Sequence, residues 1–89
     1  MNSVVTAGFL DRLGRLPGSV RQQAFRAYAL WRADPHHPSL QFKRVSQVRP
    51  IYSVRISRDY RTVGILEGDG IIWFWIGSHQ DYDRLLAGR

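Results

Sequence analysis

Four side chains in the second half of this sequence have the types and spacing to do chemistry together: Arg55, Arg61, His79 and Tyr82. Arg55 alternates with Val54 and Ile56 in the run Tyr52 to Ser57, so it belongs to a polar strand face with Ser53 and Ser57. Arg61 opens the next run, just before Val63 and Ile65 enter an apolar pattern, and His79 follows the Gly77-Ser78 exit of a third. Histidine is the side chain that ordinarily exchanges protons near neutral pH. Arginine offers fixed positive charge to a developing anion, and tyrosine can orient a phosphate or, less easily, donate a proton. Such a set suits phosphodiester cleavage by a neighbouring 2′-hydroxyl. That reaction needs a proton removed from the 2′-oxygen, one delivered to the 5′-oxygen, and charge stabilised on the phosphorane. It needs no metal.

Arg58, in the connection between the first two runs, and Lys43, in a shorter run upstream, are the further cations expected to bind the substrate. Each residue also has a plainer reading. A histidine just past a strand is commonly a turn residue, the arginines could be solvated partners of Asp59 and Asp81, and Tyr82 could pack on the sheet. His36-His37 lies between two prolines, where two adjacent imidazoles rarely converge on one ion, so neither metal nor cofactor is expected. Trp73 and Trp75 alternate with Phe74 and could stack on bases, or serve the core or a partner.

These residues must be positioned by a chain that changes period halfway. Thr6 can cap a helix from about residue 7 to 15, with Phe9, Leu13 and Leu16 on one side. Pro17-Gly18 breaks it, and Ser19 with Gln22 fits a capping box for a second helix to about Ala33. Val20, Ala24, Ala27, Tyr28 and Trp31 form its apolar stripe. From Phe42 onward the period becomes two. The expected strands are 42 to 45, 52 to 57, 60 to 66 and a largely apolar 71 to 76, with Glu67 to Gly70 as a hairpin turn. Val4 and Val5 could add a very short edge strand, and Asp81 to Leu86 a terminal helix or tail. The third long strand returns antiparallel to the second, which should bring His79 back beside Arg61. The expectation is one α+β domain over residues 1 to 89, a two-helix hairpin on a small, curved, mainly antiparallel four-stranded sheet.

Composition narrows the partners. The 89 residues carry 13 Lys and Arg against 7 Asp and Glu, a formal charge of +6, and twelve of the basic residues are arginine. That balance favours polyanions or an acidic protein, although codon bias toward arginine would leave the same trace. With no cysteine, disulfides and thiolate metal sites are excluded. The longest apolar stretch, Ile71 to Ile76, is far short of the roughly 20 residues of a membrane helix. No signal peptide is discernible, so a cytoplasmic protein without membrane contact is expected.

In order and spacing, several phrases resemble the RelE/ParE superfamily of toxins from bacterial type II toxin–antitoxin systems. They are Thr6, Phe9, Leu13, Leu16 and Pro17 at the start, then Asp34-Pro35, His37-Pro38-Ser39-Leu40, Tyr52-Ser-Val-Arg55-Ile with Tyr60-Arg61, and Ile76-Gly77-Ser78-His79 with Tyr82. The resemblance covers nearly the whole chain. It implies an acidic antitoxin partner and, for RelE-like members, metal-independent cleavage of messenger RNA on the ribosome. Arg55, Arg61 and His79 match three positions of the RelE-like active site and Tyr82 matches a fourth approximately. Ser53 departs from the pattern, standing where a second basic residue is common. The superfamily also contains ParE-like inhibitors of DNA gyrase, which is the alternative reading, and degenerate members that only bind an antitoxin.

Overall fold

The structure, a computed structural model, describes residues 1–88. Its elements in chain order are β1 (Asn2–Val5), α1 (Ala7–Gly14), α2 (Gly18–Ala33), a 3-10 turn (Pro38–Leu40), β2 (Lys43–Arg44), β3 (Ile51–Ser57), β4 (Tyr60–Glu67), β5 (Gly70–Ser78) and α3 (His79–Ala87). The sheet has five strands in the order β1-β5-β4-β3-β2. The expected four-stranded sheet is therefore extended by β1, which pairs in parallel with β5 from Asn2↔Gly70 to Val5↔Trp73. The other pairings are antiparallel.

Local signals account for most of the boundaries. The Thr6 hydroxyl accepts the Phe9 N–H at 3.0 Å and starts α1 as a side-chain cap does. The capping box expected at Ser19 and Gln22 does not form. Helix α2 begins earlier, at Gly18, and the Pro17 carbonyl accepts the Val20 and Arg21 N–H groups at 3.0 Å each. Ser19 thus sits inside the first turn, where its hydroxyl is not at the cap position. Asp34 ends α2 ahead of Pro35, as the steric demand of proline predicts. Gly68, at φ 61°, adopts the left-handed conformation that the β4–β5 hairpin requires.

The sheet carries a core on each face. On one, Ala27 and Trp31 of α2, Leu40, Val54, Ile71 and Trp73 pack together with Phe9 of α1. On the other, Tyr82, Leu85 and Leu86 of α3 cover Ile51, Val63 and Trp75. Helix α3 is longer than the expected segment and starts at His79 itself.

Two bulges set which residues share a face. Between β4 and β5, Val63 opposes Trp75 while Gly64 opposes Trp73, so Phe74 is an extra residue on β5. Simple alternation puts Trp73 and Trp75 on one side. The bulge sends Trp73 into the core under α2 and Trp75 into the core under α3, and both are buried. Neither indole is free to stack on bases. A second irregularity between Arg55 and Ser57 leaves Ile56 as the extra residue of β3.

Candidate active site

Register brings the arginines together. Arg55 of β3 is the direct partner of Arg61 of β4, and Arg61 is in turn the partner of Gly77 of β5. One step along, Ser53, Val63 and Trp75 form the adjoining row on the same face. Lys43 of β2 pairs with Ser53, which places this exposed lysine at the outer end of that row. Arg58 lies in the tight β3–β4 connection, also exposed. Arg55, Arg61 and Arg58 thus lie toward the end of the sheet where α3 begins, with Lys43 one row further along.

The Arg61 guanidinium is held by the turn it follows. Its Nη1 donates to the carbonyls of Ser57 at 2.5 Å and Tyr60 at 3.0 Å, with a longer contact to that of Arg58 at 3.3 Å. Partial burial lowers its pKa from the ordinary arginine value, and the facing charge of Arg55 lowers it further. The charges of Tyr82, Asp83 and Asp59 act in the opposite direction. An arginine in this state remains protonated at any physiological pH. It is a cation that is incompletely neutralised by its own protein and so is suited to an anionic ligand.

His79 is fixed at both ends. Its backbone N–H donates to the Asp59 carbonyl at 2.7 Å, tying the start of α3 to the β3–β4 connection. Ser78 caps the helix by accepting the Asp81 N–H at 3.1 Å, which makes His79 the first helical residue. One turn later Asp83 reaches back, and its Oδ2 lies 3.1 Å from His79 Nδ1. In the neutral tautomer that donates Nδ1–H to that carboxylate, Nε2 is the acceptor. The imidazole also meets the Tyr82 ring edge to face, with centroids 5.7 Å apart.

Tyr82 is placed differently from the others. Its ring is buried, 6 % exposed, and its hydroxyl donates to Ser53 Oγ at 3.1 Å inside the core under α3. Ser53, the residue that departs from the basic pattern, is thereby the internal partner of the tyrosine. His37 takes a structural role remote from this corner, capping the 3-10 turn by accepting the Ser39 N–H on Nδ1 at 3.2 Å.

Two residues near the site were not singled out from the sequence. Asp83 is i+4 from His79, a spacing that becomes informative only once the helix is known to start at His79. Arg12 of α1 stacks over the Trp75 ring, 5.1 Å from its centroid, and no sequence signal announces a contact between elements so far apart.

Comparison with known proteins agrees with this architecture. No curated protein matches the chain in sequence. Among solved structures, a chain of the RelB-RelE antitoxin-toxin complex from Methanococcus jannaschii superposes with a TM-score of 0.73 at 19% identity, covering 91% of this chain and 96% of the other. The YoeB/ParE toxin from Agrobacterium tumefaciens gives 0.70 at 15% identity, with 89% and 99% covered. YafQ from E. coli strain BL21(DE3) gives 0.69 at 9% identity, with 91% and 96% covered. At these identities the likeness is one of fold. The family model for the ParE-like toxin domain matches residues 18–84, most of the chain and all four strands and helix residues that build the site. The chain thus belongs to the ParE-like toxin domain family, in the RelE/ParE superfamily of toxins from toxin–antitoxin systems.

Proposed function

We propose that this toxin is a metal-independent endoribonuclease that arrests translation by cutting messenger RNA on the ribosome. The observation that carries the reading is the convergence of the Arg55–Arg61 pair with the His79–Asp83 pair at one end of the sheet. Arg61 would hold the scissile phosphate and stabilise the extra charge of the phosphorane, through donors that the turn carbonyls leave free. His79 Nε2 would move the proton as the 2′-oxygen bonds to phosphorus and the bond to the 5′-oxygen breaks. Arg55, Arg58 and Lys43 would bind the flanking backbone. Tyr82 would assist from beneath, by packing on the imidazole and by its bond to Ser53, rather than by touching the substrate.

An acidic antitoxin is the proposed partner in the cytoplasm. The +6 charge supports it, as do the exposed Leu10 and Phe25 beside an apolar groove of about 380 Å³ between α1, α2 and β1. No helix among the described residues is long and apolar enough to cross a membrane.

Induced expression with mapping of new RNA 5′ ends tests the function directly. Ends within codons of translated messages are expected, and Arg61→Ala and His79→Ala should relieve the arrest while remaining folded. Intact messages would overturn the reading. A second reading, inhibition of DNA gyrase, is favoured by the ParE-like character of the matching family model. It predicts gyrase-linked DNA breaks with messenger RNA left whole.

A further inference from the structure

Trp75 folds its ring over the backbone of Gly77, so closely that a Cβ there would lie 2.8 Å from ring atoms Cζ2 and Cη2. Gly77 is the β5 member of the row that contains Arg55 and Arg61. The indole therefore continues that row toward the β5 edge, with the Tyr82 ring 6.4 Å away on its other flank. Beyond the indole stands Arg12, its guanidinium 5.1 Å from the ring centroid.

The two arginines of α1 are treated differently. Arg15 pairs with Asp11 at 3.0 Å on the exposed side of the helix. Arg12 has no carboxylate partner among the described residues. Stacking on an aromatic face restricts a guanidinium and leaves the donors at its rim available, which is how arginine is presented to planar or phosphate ligands. Arg55 and Arg61 thus occupy the row on β3 and β4, with neighbouring strands about 4.8 Å apart, and Arg12 stands over the Trp75 ring that covers Gly77, the β5 member of the same row.

We propose that Arg12 contacts the nucleic-acid backbone beside the phosphate held by Arg61, so that a single strand lies across the three strands rather than along them. The proposal deepens the ribonuclease reading and rests on it. An exposed arginine near a helix C-terminus ordinarily serves the helix dipole. Its position over the indole that covers the row of Arg55 and Arg61 distinguishes Arg12 from that case.

The test is binding of the full chain to a fluorescent, 2′-O-methylated single-stranded oligoribonucleotide, which lacks the nucleophile and cannot be cut. Affinity is measured across a salt series for wild type, Arg12→Gln, Arg12→Lys, Arg61→Gln and Arg32→Gln. Arg32 stacks on Tyr28 in the same manner, 5.8 Å from its centroid, but on α2, which packs on the opposite face of the sheet from α3. Loss of one phosphate contact from a single strand should lower the slope of log K against log salt by about 0.7. Arg12→Gln and Arg61→Gln should each show that drop, Arg12→Lys should restore most of it, and Arg32→Gln should leave the slope unchanged. Equal effects of Arg12→Gln and Arg32→Gln would reduce Arg12 to bulk charge and overturn the proposal. A drop for Arg61→Gln alone removes Arg12 and leaves the site standing, whereas no drop for either removes both. Circular dichroism on every variant identifies a misfolded one, and Arg12→Lys then decides the outcome: a wild-type slope supports the contact, and a slope lowered like that of Arg61→Gln refutes the role of charge at this position.

Discussion

Arg55 and Arg61 stand directly opposite each other on neighbouring strands, two like charges in register on a half-buried sheet face. Like charges so placed destabilise a sheet, and the pKa of Arg61 is depressed first by its partial burial and then by the charge of Arg55. Its folded pKa lies below the unfolded value, so folding disfavours the charged form. The penalty is present at every pH below the folded value and fades only under strongly alkaline conditions. Repelling charges at the proposed anion-binding site would be a compromise between stability and activity.

Arg55→Thr should therefore be more stable than wild type and less active. Relieving a cross-strand repulsion is worth about 0.2–1 kcal/mol, and because the pair is partly exposed the gain should shrink as salt screens it. Urea unfolding at low and high salt measures the first effect, and translation arrest in an extract the second. A variant that is less stable at low salt would show that Arg55 contributes packing that outweighs the repulsion.

Gly64→Ala should weaken the fold without touching the site. A Cβ at Gly64 would lie 2.7 Å from Trp73 Cε3, 2.9 Å from Ile71 Cγ1 and 3.0 Å from the Ile72 carbonyl oxygen. The backbone there cannot yield without disturbing the β5 bulge that sends Trp73 and Trp75 to opposite faces. Overpacking of this kind costs about 1–3 kcal/mol. Thermal unfolding should show the loss, and RNA affinity at a temperature where the variant is folded should be unchanged.

The pairing of Arg55 with Arg61 and the return of His79 to the β3–β4 connection were legible because they depend only on strand alternation and on antiparallel hairpins closed by short turns, both of which leave marks in composition. The bulge at Phe74 leaves none, since one extra apolar residue in an apolar strand alters no pattern, and simple alternation of Trp73 and Trp75 with Phe74 puts both tryptophans on one face. The parallel pairing of β1 with β5 and the reach of Arg12 to Trp75 join segments some sixty residues apart, and long-range contacts have no local signature. Asp83 was hidden by a different fault. With α3 expected to begin at Asp81, His79 lay outside the helix and the i, i+4 relation did not exist.

Tyr82→Phe separates support from chemistry. The phenol is buried and spends its hydrogen on Ser53 Oγ, itself only 2 % exposed, so the variant should lose about 1 kcal/mol of stability. Its ring still packs on His79 and Trp75, and toxicity should persist. Loss of toxicity in a variant of wild-type stability would make the hydroxyl a participant in the reaction.

Asp83→Asn tests whether the carboxylate positions the imidazole. The pair is largely exposed, with side chains 43% and 65% accessible, so its removal should change stability by no more than a few tenths of a kcal/mol. The effect on cleavage should be larger. An asparagine amide can present either its oxygen or its NH₂ to Nδ1, and the second choice turns the imidazole to the tautomer that carries its proton on Nε2. General acid–base catalysis is worth roughly 10²–10⁴-fold, and mispositioning the base should remove about tenfold of it. Asp81→Asn is the matched control, because Asp81 loses the same charge from the same helix but pairs with Arg84 at 3.4 Å instead. Single-turnover cleavage on stalled ribosomes should be slowed by Asp83→Asn and spared by Asp81→Asn. Equal slowing would mean that the helix's net charge matters, and not the bond between Asp83 and His79.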